Sequence, residues 1–256
     1  MFDKFSERII KIAKYGLTPV RYPDNFFRLW SVILANRPLI GELVHLTDHR
    51  LWYEKTGFNT IIDIGGFIGS YAMAMKTMLP EVSLYSFEPI KSNFDQLVSN
   101  LKRFNRFTAF NTALGDESGM IDFWQNKFTA SSSILDIHEE HIKAFPVTEE
   151  RKMIQVPISR LDDYLDMLEL ISPVLLKMDV QGYEDKVIKG GGKVLEKVDY
   201  IITEVSFRNL YKGQTLFDDI YQQLSDFGFR YAGNFETLVS PKDGSILQAD
   251  ALFCRE

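Results

Sequence analysis

The residues whose types could do chemistry first meet in the stretch Asn59-Thr60-Ile61-Ile62-Asp63-Ile64-Gly65-Gly66-Phe67-Ile68-Gly69-Ser70. Glycine permits positive φ and lets backbone amides approach a ligand with no Cβ between them. A helix that starts directly after such a turn offers free N–H groups to a carboxylate or phosphate. A dinucleotide fingerprint would place glycine where Phe67 stands. Asp63, inside the strand end, would repel a pyrophosphate but can hold an ammonium group. The expected ligand is therefore a zwitterionic amino acid joined to a nucleoside, such as S-adenosylmethionine (SAM). Taken alone, the stretch is also compatible with a glycine turn that binds nothing.

Three more acids fall at the ends of apolar runs. Glu88 follows Gly69 at close to the roughly 20-residue offset at which an acid meets ribose hydroxyls, and Pro89 ends its strand. Asp179 and Glu204 close two later runs. In open α/β sheets ligands gather at the carboxyl ends of the strands. Four acids on one rim require cations or hydrogen-bond donors to meet them. Leu114 and Asp116 lie on the loop beside the expected adenine end. His138 and His141, on an expected short helix over 134–145, are candidate general bases because histidine titrates near neutral pH. His45 and His49 share a helix face, but no third ligand stands near them, which argues against a metal site there.

These residues need strands and helices to position them. Residues 60–64 are β-branched and apolar apart from Asp63, as in a strand buried on both faces of a parallel sheet. A helix over 70–79 is stopped by Pro80. Further strands are expected over 82–87, 107–113, 173–178, 198–205, 227–232 and 249–254. Short segments 121–124 and 152–157 would pair as an antiparallel extension, with 129–133 between them as a loop or lid. Helices are expected from a Ser92 cap to about 103, from Leu161, over 185–195 with a bend at Gly190–Gly192, and over 217–227. Proline-broken helical pieces over 2–15, 26–34 and 40–55 precede the first strand. The division expected is a helical cap over 1–56 and a ligand-binding domain over 57–256.

The chain has 256 residues, 45% of them hydrophobic, and a formal net charge of −6. That is enough for one large α/β domain, and it gives no general pull toward nucleic acid or anionic lipid. The single cysteine, Cys254, excludes an internal disulfide and a cysteine-based zinc cluster. No apolar run approaches the roughly 20 residues of a membrane span, and the start lacks signal-peptide features. The expected setting is cytoplasmic. The amphipathic helix over 2–15 suits packing on a protein surface, including that of a second copy in a homodimer, better than a membrane surface.

The ordered set of motifs resembles the FkbM-type methyltransferases, a class I SAM-dependent family. It comprises Asp63-Ile64-Gly65-Gly66-Phe67-Ile68-Gly69, Phe87-Glu88-Pro89, Ala113-Leu114-Gly115-Asp116, Leu161-Asp162-Asp163, Lys177-Met178-Asp179-Val180-Gln181-Gly182-Tyr183-Glu184 and Ile202-Thr203-Glu204-Val205. The resemblance implies a doubly wound, mostly parallel seven-stranded sheet with a reversed last strand. It also implies methyl transfer to oxygen, often on a sugar, glycan or polyketide hydroxyl. By position it implies that Asp63, Gly65, Gly66 and Gly69 contact SAM and that Glu88 holds its ribose; Phe67 and Pro89, beside them in the chain, are further expected SAM contacts. Two departures stand out: Gly66-Phe67 where the family often has Ala-Asn, and Gln181 where it usually has glutamate. Methyl transfer needs an acceptor held in line with the S–CH3 bond, and a hydroxyl acceptor must lose its proton. Asp179 would take that proton directly or, with Glu204, hold a Mg2+-type ion that acidifies the hydroxyl; His138 or His141 is the alternative base. Two rival functions remain: an NAD-dependent oxidoreductase or epimerase, disfavoured by Asp63 and Phe67, and a SAM-fold protein that binds without catalysing.

Overall fold

The computed structural model describes residues 49–126, 132–138 and 151–255. The first strand, β1 (Thr60–Ile64), is buried at all five positions. It pairs in parallel with β2 (Ser83–Phe87) on one side and β7 (Val174–Met178) on the other, with Asp63 opposite Ser86 and Lys177. With β3 (Phe107–Phe110), β8 (Tyr200–Ser206), β9 (Phe229–Val239) and β10 (Ile246–Arg255) they form one sheet in the order β3-β2-β1-β7-β8-β10-β9. β10 runs antiparallel to both neighbours. This is the seven-stranded sheet with a reversed last strand.

Alternation along the central strands sends successive side chains to opposite faces. Ile62, Ile64, Leu176 and Met178 pack with Val187, Ile188, Val194, Leu195, Ile220 and Leu224. Those side chains come from α4 (Glu184–Gly190), α5 (Gly192–Leu195) and α6 (Phe217–Asp226). On the other face Ile61, Leu84 and Leu175 meet Ala72, Met75, Leu97 and Leu101, from α2 (Ser70–Met78) and α3 (Lys91–Leu101). Each fully buried aliphatic side chain contributes about 1.5–3 kcal/mol, so the two layers hold the strand tips in a fixed relation.

Several elements differ from expectation. The expected strand over 107–113 is two strands: the chain leaves the main sheet after β3, and β4 (Ala113–Gly115) joins a second sheet in the order β4-β6-β5. The break has a local cause. The Asn111 amide donates to the carbonyls of Glu88 and Pro89, and the Thr112 hydroxyl donates to that of Pro157, which turns the backbone toward the second sheet. β5 (Gly119–Asn126) and β6 (Arg151–Arg160) are the expected antiparallel extension, in longer form. Ser92 does not cap α3. Ile90 is its N-cap residue, and the Glu88 carboxylate accepts the Ile90 N–H at 2.8 Å. Leu161–Met167 is a 3-10 helix, and the helix expected over 185–195 breaks at Gly191 into α4 and α5. Residues 134–138 of the expected helix over 134–145 are not helical; Ile137 forms a β-bridge with Tyr211. Of the leading helices only α1 (Arg50–Thr56) is described; 2–15, 26–34, His45 and His141 lie outside the described residues. His49 is engaged with Phe235, its Nε2 3.3 Å from the carbonyl oxygen and its ring 4.1 Å from the phenyl ring.

Candidate active site

At the carboxyl ends of β1, β2 and β7 the sheet opens into a cleft of about 920 Å3, its solvent-open mouth included. Ile64, Gly65, Gly66 and Phe67 line it on β1 and the turn that follows. Toward β3 its wall is apolar, with Phe87, Ile90, Leu114 and Phe123. Toward β7 it is polar, with Tyr71, Lys177, Asp179 and Gln181. Pro89 also lines the cleft.

The glycine turn is bare for a reason the sequence did not reveal. Gly65 has φ +84°, and a Cβ there would stand 1.9 Å from the Asp179 carbonyl oxygen; at Gly66 it would stand 2.1 Å from Ser86 Oγ. The missing side chains let the tip of β1 fit between the tips of β7 and β2. Gly69, with φ +86°, starts α2 against Leu101 and is not a lining residue.

Glu88 sits at the tip of β2 and is 5% exposed. Its Oε2 accepts the Phe67 N–H at 2.9 Å, and its Oε1 accepts the Ile90 N–H at 2.8 Å and the Asn93 amide at 3.3 Å. Burial outweighs these three donors and pushes its carboxyl up to about 7. Phe67 takes φ +49°, a left-handed conformation rare for a bulky residue. Its N–H is thereby turned to Glu88.

Asp63 is fully buried and does not line the cleft. Ser86 donates to its Oδ2 at 2.9 Å, and Lys177 Nζ lies 3.9 Å from Oδ1, which has no hydrogen-bond donor. Burial pushes the Asp63 carboxyl up, against the pull of Lys177 and Ser86. Lys177 is the charged residue within the otherwise apolar β7. Its Nζ also lies 3.5 Å from Asp179 Oδ2 and 5.2 Å from the centre of the Tyr71 ring.

Asp179 lines the cleft, with its side chain 39% exposed. Gln181 Nε2 donates to its Oδ1 at 2.6 Å and reaches Glu204 Oε1 at 3.5 Å. Glu204 stands behind Gln181, is not a lining residue, and accepts the Gln248 amide at 2.6 Å. Burial and the neighbouring Asp179, Glu184 and Asp250 raise its carboxyl well above the ordinary value. The donor set does not fit a magnesium ion. An amide N–H occupies the position between the two carboxylates, and among the described residues no group of three or more His, Cys, Asp or Glu is arranged to hold a metal.

The remaining sequence candidates fall elsewhere. Leu114 lines the apolar end. Asp116 does not line the cleft and pairs with Lys186 at 3.3 Å. His138 is not a lining residue either; its backbone N–H donates to the Leu210 carbonyl at 2.8 Å. Sequence reasoning missed Ser86, Tyr71, Tyr211 and Gln248. For Ser86 a signal existed, a lone polar residue at a strand position opposite Asp63; for Gln248 and Tyr211 only the fold makes the connection.

The strand order, the antiparallel β10 and a glycine turn after the first strand define a class I SAM-dependent methyltransferase. The Methyltransferase FkbM domain matches residues 63–231, and the chain belongs to that family. It is 32% identical over 173 residues to the 2-O-methyltransferase NoeI of Sinorhizobium fredii, covering 65% of this chain and 71% of that protein. It is 28% identical over 158 residues to the hexuronic acid methyltransferase AglP of Haloferax volcanii, covering 61% of this chain and 60% of that one. Among solved structures it is similar to Aeropyrum pernix fibrillarin with natively bound SAM, at 12% identity and a TM-score of 0.44 over 77% of this chain and 68% of the other.

Proposed function

We propose that the protein transfers the methyl group of SAM to a hydroxyl of a sugar or glycan. The observation that carries this reading is the unequal charge of the cleft: Glu88 and Asp179 line it, Asp63 and Glu204 stand directly behind, and Lys177 is the one cation among its described lining residues. Such a rim suits a neutral hydroxyl that must give up a proton. It opposes the close approach of an acceptor that carries its own negative charge. The name of one relative, a 2-O-methyltransferase, supports oxygen as the accepting atom, and that of another, a hexuronic acid methyltransferase, supports sugars as the acceptor class; the carboxylate of such a sugar would have to stand clear of the acidic rim.

The cleft fits SAM. Glu88 Oε2 accepts a single protein N–H, which leaves a lone pair for a ribose hydroxyl. Phe87, Ile90, Leu114 and Phe123 offer an apolar bed for the adenine. Asp63, whose Oδ1 has no hydrogen-bond donor and lies 3.9 Å from Lys177 Nζ, supplies negative potential for the ammonium group. Bound SAM supplies an electrophilic methyl on a sulfonium. The protein's part is to align the acceptor oxygen with it, exclude water and remove the hydroxyl proton, and Asp179 is the group placed to accept that proton.

Calorimetric titration with SAM and, separately, NAD tests the cofactor: SAM binds and NAD does not. Methyl-labelled SAM is then offered with neutral oligosaccharides, methyl glycosides and uronic-acid oligosaccharides. Label is expected on the neutral acceptors. Binding of NAD without SAM would reject the reading, and SAM binding with no transfer to any acceptor would favour a silent binder. Asp179→Asn should keep SAM affinity within about threefold and lower turnover by about 100-fold or more.

A further inference from the structure

Gln181 is the most constrained polar residue at the cleft. It adopts φ +58°, in the left-handed region that a glutamine rarely enters. Such a conformation persists only where the surroundings over-determine it. Here they do. Its carbonyl accepts from Ser133 Oγ at 2.7 Å, its Oε1 accepts from the Tyr211 hydroxyl at 2.6 Å, and its Nε2 donates to Asp179 at 2.6 Å and reaches Glu204 at 3.5 Å. Tyr211 is completely buried. Its own N–H, with that of Leu210, donates to Gln214 Oε1, and Gln214 Nε2 donates to Ser206 Oγ.

We propose that Gln181, anchored by Tyr211, is a positioning residue that presents Asp179 to the acceptor. The inference rests on the reading of Asp179 as the base. One amide can do this work in only one orientation. Turned over, it would aim Oε1 at the oxygens of Asp179 and Glu204 and forfeit the 2.6 Å bond to Asp179. The Tyr211 hydroxyl fixes the working orientation by donating to Oε1. Burial and the acids Glu204, Asp179 and Glu184 hold that hydroxyl well above its ordinary pKa, so it stays a donor. The result immobilises Asp179 Oδ1 and leaves Oδ2, beside Lys177, for a hydroxyl. The charged groups around Asp179 are Lys177 on β7, Asp63 on β1, Glu184 at the start of α4, Glu204 on β8 and, beyond Glu204, Asp250 on β10. Among four neighbouring acids and one lysine, a neutral donor at 181 keeps Asp179 able to accept a proton. A carboxylate in its place, at this distance, would have to share one.

The test compares Gln181→Glu and Tyr211→Phe with the wild-type chain. The carboxyl carbon of Asp179 is followed by 13C NMR against pH, with its signal assigned by its loss in Asp179→Asn. Methyl transfer from labelled SAM to methyl glycosides is measured beside it. In Gln181→Glu the Asp179 signal should titrate about one pH unit or more above the wild type. In Tyr211→Phe, kcat should fall about tenfold while KM for SAM stays within about twofold. A Gln181→Glu titration that coincides with the wild type overturns the proposal, even if Tyr211→Phe fails to fold. So does a Tyr211→Phe enzyme that transfers at the wild-type rate. If Asp179→Asn itself transfers normally, the base assignment fails, and the NMR result then separates that failure from a failure of the positioning network.

Discussion

The two ends of the cleft hold their acids in different ways. At the tip of β2, Glu88 is gripped by donors close to it in the chain or in the glycine turn: Phe67, Ile90 and Asn93. At the tips of β7 and β8, two acids from different strands share one amide: Gln181, two residues after Asp179, donates to Asp179 and reaches Glu204, which also accepts from Gln248 on the distant β10. The first arrangement is one buried acid with fixed backbone donors, suited to a ligand part that is the same in every turnover. The second is a cluster of acids tempered by one lysine and neutral amides, suited to moving a proton. On the proposed reading, donor binding and proton removal are built from separate hydrogen-bond systems that meet at Lys177, which touches both Asp63 and Asp179.

Substitutions can break that contrast in order of severity. Gly65→Ala should be the most damaging. Its Cβ would fall inside the Asp179 carbonyl and its φ is left-handed, so the tips of β1 and β7 must part. A loss of about 3 kcal/mol or more, or no folded protein, is expected from thermal or urea unfolding. Glu88→Ala should weaken SAM binding about 100-fold by calorimetry, because the proposed ribose acceptor is lost and three donors are left unpaired. In the wild type the same acid makes binding pH-dependent. With its carboxyl raised to about 7, SAM should bind more tightly as pH rises from 6 to 8 and more weakly on the way down.

A smaller effect is expected beside the acidic cluster. Glu184 is buried, accepts the N–H groups of Val180 and Gly182, and its carboxyl is raised to about 7 by burial. A raised folded-state value means that the folded chain holds the proton better than the unfolded chain. The stabilising contribution is then full below the ordinary carboxylate range and is lost as pH rises through 7. Glu184→Gln cannot ionise, so its Tm relative to wild type should climb by about 3 °C or more between pH 5 and pH 8. A constant difference would show that Glu184 is not a buried titrating group. His138→Ala should change turnover least, by less than about twofold, since His138 does not line the cleft. A large loss there would move the base from Asp179 to the segment that carries His138.

Much of this was legible in residue order alone. The apolar strands, the glycine turn and the acids that end β1, β2, β7 and β8 are local patterns, and local patterns survive in one dimension. So did the reversed last strand, because the resemblance to FkbM-type chains rests on ordered motifs. The break at Asn111–Thr112 escaped because side-chain bonds to Glu88, Pro89 and Pro157 override a run of strand-forming residues. Residues 134–138 of the helix expected over 134–145 are not helical for a similar reason: Ile137 pairs with Tyr211, a partner distant in sequence.

By itself the sequence determined which chemical groups exist and on which strand tips they stand, because both follow from periodicity and from where apolar runs stop. Only the tertiary structure decided what each group does there. It put Asp63 beneath the turn beside Lys177 and Ser86 instead of in the cleft, and gave the glycines to the contact between strand tips. It also set an amide between Asp179 and Glu204, where holding a metal was one of two expected roles. The physical reason is that burial and hydrogen-bond partners fix the charge and reach of a carboxylate, and those partners come from strands that adjoin only after folding.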